Sequence, residues 1–264
     1  KLSLKMVGFI EHDSVVAISV SCEIEVVKLM RICILHIGHS SPNETTEHLP
    51  APVRFINALK TRLYHVQWTV VSAVKEELPN AKAFDGYIIT GGKYSVFDRF
   101  SWQNKFFKFL EKVIEEQIPL IGICYGHQAI AKVLGGEVVR SPKGYGVGLM
   151  PVNVIKTTSW CNTNTNPLML HAMHQDQVIE LPSKAELFLS GDFCPISGFF
   201  VKNKVLAIQQ HPDFNSSLNK SLMEKRRDII GSTTVREGTQ SLAGPDHTQT
   251  SINWMVDFLL SATD

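Results

Sequence analysis

The 264-residue sequence has no excess of charge of either sign: 26 Lys and Arg stand against 25 Asp and Glu, a formal net charge of +1. A chain so balanced has no overall pull toward nucleic acid or anionic lipid, so neither is expected as a partner. It has no hydrophobic run near the roughly 18 residues that suggest a membrane span. It is poor in cysteine: Cys22, Cys33, Cys124, Cys161 and Cys194 are odd in number, and no two have C-x-x-C spacing. In a chain of this length that argues against a disulfide framework or a zinc site, and makes a reducing compartment, the cytoplasm, the expected location. A secretory signal fits poorly, because Glu11, His12 and Asp13 interrupt the approach to the short apolar run 15–20. Internal repeats and low-complexity tracts are missing too. What remains is ordinary globular composition, 44% hydrophobic and 19% charged, which excludes a disordered or collagen-like chain.

From residue 31 onward, short β-branched runs alternate with stretches of helical spacing. Residues 31–37, 66–73, 85–90 and 119–123 read as buried strands. Residues 52–63, 102–117 and 128–134 read as helices, the second carrying Phe106, Phe109, Leu110, Val113 and Ile114 at helical intervals. Strand–helix alternation of this kind predicts a three-layer α/β domain, a mostly parallel sheet with helices on both faces. After Gly135-Gly136 the pattern changes to strand-like pieces at 137–139, 147–155, 186–190, 198–201 and 204–208. These predict antiparallel pairs forming a small antiparallel sheet. A helix is expected over 217–230, with Lys225, Arg226 and Arg227 as a solvated face between Glu224 and Asp228. Residues 232–251 read as a polar loop and 252–260 as a closing amphipathic helix. The expected organisation is an N-terminal extension over 1–30, of undecided structure, and a domain over 31–264.

The sharpest local signal is Gly122-Ile123-Cys124-Tyr125-Gly126-His127-Gln128. An apolar strand runs into G-x-C-x-G and then into a helix, the pattern of a nucleophile elbow. The turn is tight enough to exclude side chains at its flanks, hence the glycines. A cysteine there sits at a helix N-terminus, where the dipole favours thiolate, and the N–H of Tyr125 can face a developing oxyanion. A buried structural cysteine is the bland alternative.

A cysteine nucleophile needs a histidine base oriented by a third group. Of ten histidines, most lie in polar or loop-like contexts, and His127 falls inside the elbow helix. His211 stands out: it follows the 204–208 strand and opens His211-Pro212-Asp213, with proline fixing the backbone between two polar side chains. Such a triplet by itself is more often an ordinary loop histidine.

Taken together these residues resemble the class I glutamine amidotransferases, most closely their stand-alone GMP-synthetase-like members, among them plant γ-glutamyl peptidases. The elbow matches that family's G-x-C-x-G-x-Q. His211-Pro212-Asp213 matches its H-P-E, with Asp in place of Glu. Thr90-Gly91-Gly92 with Ser95-Val96 resembles the segment after its third strand, His174-Gln175-Asp176 its H-x-D segment, and Ser141-Pro142-Lys143-Gly144 the stretch after its elbow helix. The resemblance covers roughly residues 31–214. It implies a flavodoxin-like fold and a triad of Cys124, His211 and Asp213. It implies an oxyanion hole from the N–H groups of Gly92 and Tyr125, and substrate binding by Gly91, Gln128, His174 and Asp176. No metal or organic cofactor is implied. The implied substrate is small: glutamine or a γ-glutamyl compound, attacked at its γ-carbonyl. These residues leave no length for a synthetase domain, so either a synthetase partner chain accepts the ammonia or the protein hydrolyses γ-glutamyl bonds. Two departures matter. Asp213 is one methylene shorter than the Glu it replaces, and Gln210 stands where a small Gly is usual and is expected to crowd the pocket. They leave room for a catalytically weak binding or regulatory protein; a DJ-1-like cysteine protein is disfavoured by the downstream histidine motif.

Overall fold

The computed structural model describes residues 29–38 and 48–263, together with two short strands, β1 (Leu4–Lys5) and β2 (Ser21–Cys22), which pair antiparallel. Of the expected extension over 1–30, Leu29 and Met30 are described and Met30 already belongs to the next strand; apart from β1 and β2 the rest lies outside the described residues.

Eleven further strands build the domain. β3 (Met30–Ile37), β4 (Val66–Ser72), β5 (Gly86–Gly92) and β6 (Leu120–Ile123) are the four strands expected from the first half. β7 (Glu137–Arg140), β8 (Gly146–Val154), β9 (Leu168–His174), β10 (Asp176–Glu180), β11 (Glu186–Ser190), β12 (Gly198–Val201) and β13 (Val205–Ile208) follow. Nine of them form one sheet in the order β4-β3-β5-β6-β13-β12-β11-β8-β9. From β4 to β13 the pairs are parallel, and from β13 to β9 antiparallel. β7 and β10 make a separate two-stranded antiparallel sheet.

The helices are α1 (Ala51–Leu59), α2 (Ser101–Glu115), α3 (Tyr125–Val133), α4 (Ser216–Lys225), α5 (Arg227–Ile230), α6 (Ser232–Ser241) and α7 (Thr248–Thr263). Strand alternation divides them between the two faces. Ile32, Ile34, Ile88, Ile121, Leu206 and Ile208 meet Phe55 and Leu59 of α1 and Trp254 and Phe258 of α7. The intervening Cys33, Leu35, Tyr87, Ile89 and Ala207 meet Phe106 and Leu110 of α2 and Ala129 and Ile130 of α3. This is the layered α/β architecture expected from the sequence, with parallel strands covered on both faces. A third cluster, Val147, Met173, Phe214, Leu218, Met223, Ile230 and Val235, seats α4–α6 on β8 and β9.

Five sequence expectations are corrected. β9 and β10 were unanticipated, although Leu168-Met169-Leu170 directly after Pro167 is a short apolar run. Residues 232–251 are not a loop: α6 and the start of α7 occupy most of them. α6 has β-branched and small residues of modest helix propensity, and tertiary packing overrides it. A Cβ on Gly238 would lie 2.7 Å from Met223 Sδ and from Val147 Cγ2, so only glycine lets α6 approach this closely. The 217–230 helix is broken at Arg226 (φ −114°, ψ 14°). α1 ends at Leu59, four residues early. α3 starts at Tyr125, immediately after the cysteine, rather than at 128.

Candidate active site

Register alone brings three motifs to one edge. In the parallel half Ile89 lies beside Gly122, and Ile123 beside Ile208. The C-terminal ends of β5, β6 and β13 therefore lie side by side, carrying Gly91-Gly92, Cys124 and His211 in turn. This is the edge where open α/β sheets bind ligands.

Cys124 occupies the turn between β6 and α3 with φ 52° and ψ −102°, in the positive-φ region that a non-glycine residue adopts only under constraint. Its N–H donates to the Ile208 carbonyl at 2.9 Å, tying the turn to β13. The flanking glycines are dictated by contact. A Cβ on Gly122 would stand 2.6 Å from the backbone of Gly126, and one on Gly126 would stand 2.7 Å from Ile89 Cβ. Tyr125 opens α3, so its N–H has no intrahelical acceptor. Its side chain points away into the aromatic cluster of Trp102 and Phe106, where Gln103 donates to its hydroxyl at 3.0 Å.

His211 is buried behind the cysteine. Its N–H donates to the His171 carbonyl at 2.8 Å, and its ring stacks on Phe214 at a centroid distance of 3.9 Å. Nδ1 stands 3.2 Å from Asp213 Oδ1, so the shorter acid reaches the imidazole. Burial on its own would depress the imidazole pKa. The facing Cys124 sulfur and the Asp213 carboxylate outweigh burial and raise it to about 9. Asp213 is in turn clasped by Arg54 of α1, whose Nη2 and Nε reach Oδ2 at 2.5 and 3.2 Å and whose Nε also donates to the Asp213 carbonyl at 3.0 Å. Burial pushes the Asp213 carboxyl up, but His211 and Arg54 together hold it below the ordinary value. Arg54 was missed by sequence reasoning. Its one signal was position: it precedes the core residue Phe55 on a helix feeding the same sheet edge.

In front of the cysteine lies a cavity of about 130 Å³, lined by Cys124, Gly92, Tyr125, Gln128, His174 and Asp176 among others. Six sequence-expected residues thus meet there. Gly91 does not line it. A Cβ on Gly91 would stand 2.6 Å from His211 Cε1, so its place is against the imidazole. Gln210 does not line it either. Its amide nitrogen donates to Ser197 Oγ at 3.2 Å, away from the cavity, which corrects the expected crowding.

The remaining polar groups are cross-braced. The Gln128 amide nitrogen donates to the Asp176 carbonyl at 2.9 Å and to Gln209 Oε1 at 3.1 Å. The same Gln209 oxygen lies 3.2 Å from His127 Nδ1. Burial depresses His127 to about 3 and His174 to about 4, so both rings are neutral near pH 7. His174 Nδ1 lies 3.1 Å from the Asp176 carbonyl, while its buried Nε2 has no partner among the described residues. Asp176 accepts from the Ser95 hydroxyl and lies 3.7 Å from Arg140 Nε, and burial raises its carboxyl above the ordinary value. Burial pushes the thiols of Cys33, Cys161 and Cys194 up to about 12. Among the described residues no cluster of three or more His, Cys, Asp or Glu could hold a metal, and no helix is long and apolar enough to cross a membrane.

A sulfur at a helix N-terminus, backed by an imidazole and a clamped carboxylate, is an arrangement that can add to a carbonyl. The family described as glutamine amidotransferase class-I matches residues 53–228. Gamma-glutamyl peptidase 3 of Arabidopsis thaliana is 28% identical over 177 residues, 60% of this chain and 71% of that one. The GMP synthase (glutamine-hydrolyzing) of Aeropyrum pernix is 29% identical over 164 residues, 62% of this chain and 30% of the synthase. The crystal structure of a glutamine amidotransferase from Thermotoga maritima superposes with a TM-score of 0.70, covering 90% of this chain and all of that one at 17% identity, a likeness of fold. Since the family match spans most of the sequence and takes in the elbow and the histidine motif, the chain belongs to the class I glutamine amidotransferases.

Proposed function

We propose that the protein hydrolyses the γ-amide of glutamine, or a γ-glutamyl bond, through a γ-glutamyl thioester on Cys124. The observation that carries this reading is the line Cys124, His211, Asp213 at the sheet edge, with Nδ1 to carboxylate at 3.2 Å. The Cys124 sulfur attacks the γ-carbonyl, and the N–H groups of Gly92 and Tyr125 take the charge on its oxygen. As the tetrahedral adduct collapses the C–N bond breaks, and His211 gives its proton to the leaving nitrogen. His211 then takes a proton from water, which attacks the thioester and releases glutamate and the free sulfur. Gln128, His174 and Asp176 hold the amino-acid end. The alternative of a catalytically weak pocket rested on Asp213 and Gln210. The first reaches its histidine and the second is turned away, so neither favours it.

A second reading has its own support. The Aeropyrum relative is a GMP synthase, and the match covers 30% of its length. On that reading a separate synthetase chain accepts the ammonia.

Release of ammonia or amine from glutamine and γ-glutamyl dipeptides tests the proposal. Cys124→Ser and His211→Ala are each expected to lower kcat by at least about a thousandfold, and the double variant by no more than the worse single, because the pair acts as a unit. Wild-type turnover in either variant would sink it.

A further inference from the structure

Arg226 belongs to the Lys-Arg-Arg run that reads as a solvated helix face, yet it lines the cavity in front of Cys124. It sits at the break between α4 and α5, where φ −114° and ψ 14° interrupt the helix and turn this one residue out of the helical row. The break is fixed from both sides. Met223 and Ile230 are buried in the cluster with Val147 and Met173, so Arg226 is held by packed neighbours. The adjacent Arg227 is occupied, with Nη2 2.8 and 2.6 Å from the two Glu224 oxygens. Glu224 is thereby used, and among the described residues the Arg226 guanidinium has no acceptor.

The charges lining the cavity are unbalanced. Three cationic side chains, Lys93, Arg140 and Arg226, stand against one carboxylate, Asp176. The amino-acid end of a glutamyl substrate brings one ammonium and one carboxylate. Asp176 and Arg140, 3.7 Å apart, already offer one site of each sign for it. Lys93 is exposed, with its ammonium over the Tyr94 ring at 5.7 Å. Among the described residues neither Lys93 nor Arg226 has a counter-charge; of the two only Arg226 carries a guanidinium, whose fork suits a carboxylate in two-point contact.

Building on the proposed γ-glutamyl hydrolysis, we infer that Arg226 is a specificity-determining residue that binds an anionic group on the leaving-amine side of the scissile bond. The favoured substrate is then a γ-glutamyl peptide whose released amine carries a carboxylate, rather than free glutamine. The contact is made in ground state and transition state alike, so its removal appears in KM rather than kcat.

The test compares γ-glutamylglycine with γ-glutamylglycinamide, which differ in that one charge, with glutamine as a third substrate. Wild-type protein is expected to prefer the carboxylate compound about tenfold in kcat/KM, the size of one charge-assisted contact. In Arg226→Met that ratio falls toward one through a rise in KM for γ-glutamylglycine, and Arg226→Lys keeps part of it. A wild-type ratio near one, or the same ratio in wild type and Arg226→Met, overturns the assignment while γ-glutamyl hydrolysis stands. If wild type cleaves none of the three compounds, the hydrolysis reading itself falls and this inference falls with it.

Discussion

The parallel and antiparallel halves of the sheet meet at β13 and serve the site in different ways. The parallel half contributes backbone: two glycines at the end of β5 and a strained turn after β6. The antiparallel half, with β10 and the α4–α6 cap, contributes side chains that line the far wall: His174, Asp176 and Arg226. The first set is held by close backbone contact, where a single methyl is excluded. The second is held by hydrogen bonds and side-chain packing, which tolerate repacking. On the proposed function, reaction chemistry falls to the rigid half and substrate choice to the adaptable one.

The largest test of that contrast is at Asp213, next to the seam. Asp213→Asn should cut kcat/KM by between about tenfold and a thousandfold, less than Cys124→Ser, since the orienting member of a triad is the least costly to lose. Asp213→Glu, which restores the acid usual in the family, should also lower it. The present carboxylate already reaches Nδ1 and is clasped by Arg54, so an added methylene must displace packed neighbours. Steady-state kinetics on one γ-glutamyl substrate decide it. A gain of activity in Asp213→Glu would mean that Asp213 is poorly held.

Next in size is Gly122→Ala. Its new Cβ meets Gly126 backbone, which cannot swing aside, so the variant should lose about 1–3 kcal/mol of stability in urea melts. An unchanged melt would show the parallel half to be no stiffer than the other.

The smallest effect separates two buried histidines. His211 is raised to about 9 by its partners against the pull of burial, and His174 is lowered to about 4 by burial. For His211, whose folded pKa lies above the unfolded value of about 6.5, the stabilisation is fully present below pH 6.5 and fades as pH rises through about 9. For His174 the sign is opposite: stability is present above about 6.5 and lost as pH falls toward about 4. Ring-proton NMR should give one high and one low midpoint, and coincident midpoints would erase the distinction.

How much of this was legible in the sequence follows the same division. The parallel strands were read nearly to the residue because alternation and β-branching are local signals, and G-x-C-x-G states its own backbone geometry. The Cys, His and Asp motifs were visible because each forms a short string. The wall was less legible. His174 and Asp176 came from a resemblance rather than from seeing β9 and β10. Arg54 and Arg226 were missed because their roles depend on where α1 ends up and where α4 breaks. α6 was hidden because its helicity comes from packing on β8. In a charge run such as 225–227 nothing local distinguishes the residue that turns inward from the one paired with Glu224.

The backbone of Cys124 carries one more implication. At φ 52° and ψ −102° the chain holds a conformation that an L-residue resists and glycine accepts. On the proposed function, stability and catalysis therefore make opposite demands on position 124. Glycine there would relax the turn while deleting the sulfur. On that same proposed function, cysteine stands at this corner against the turn's own preference because of the work its thiol would perform.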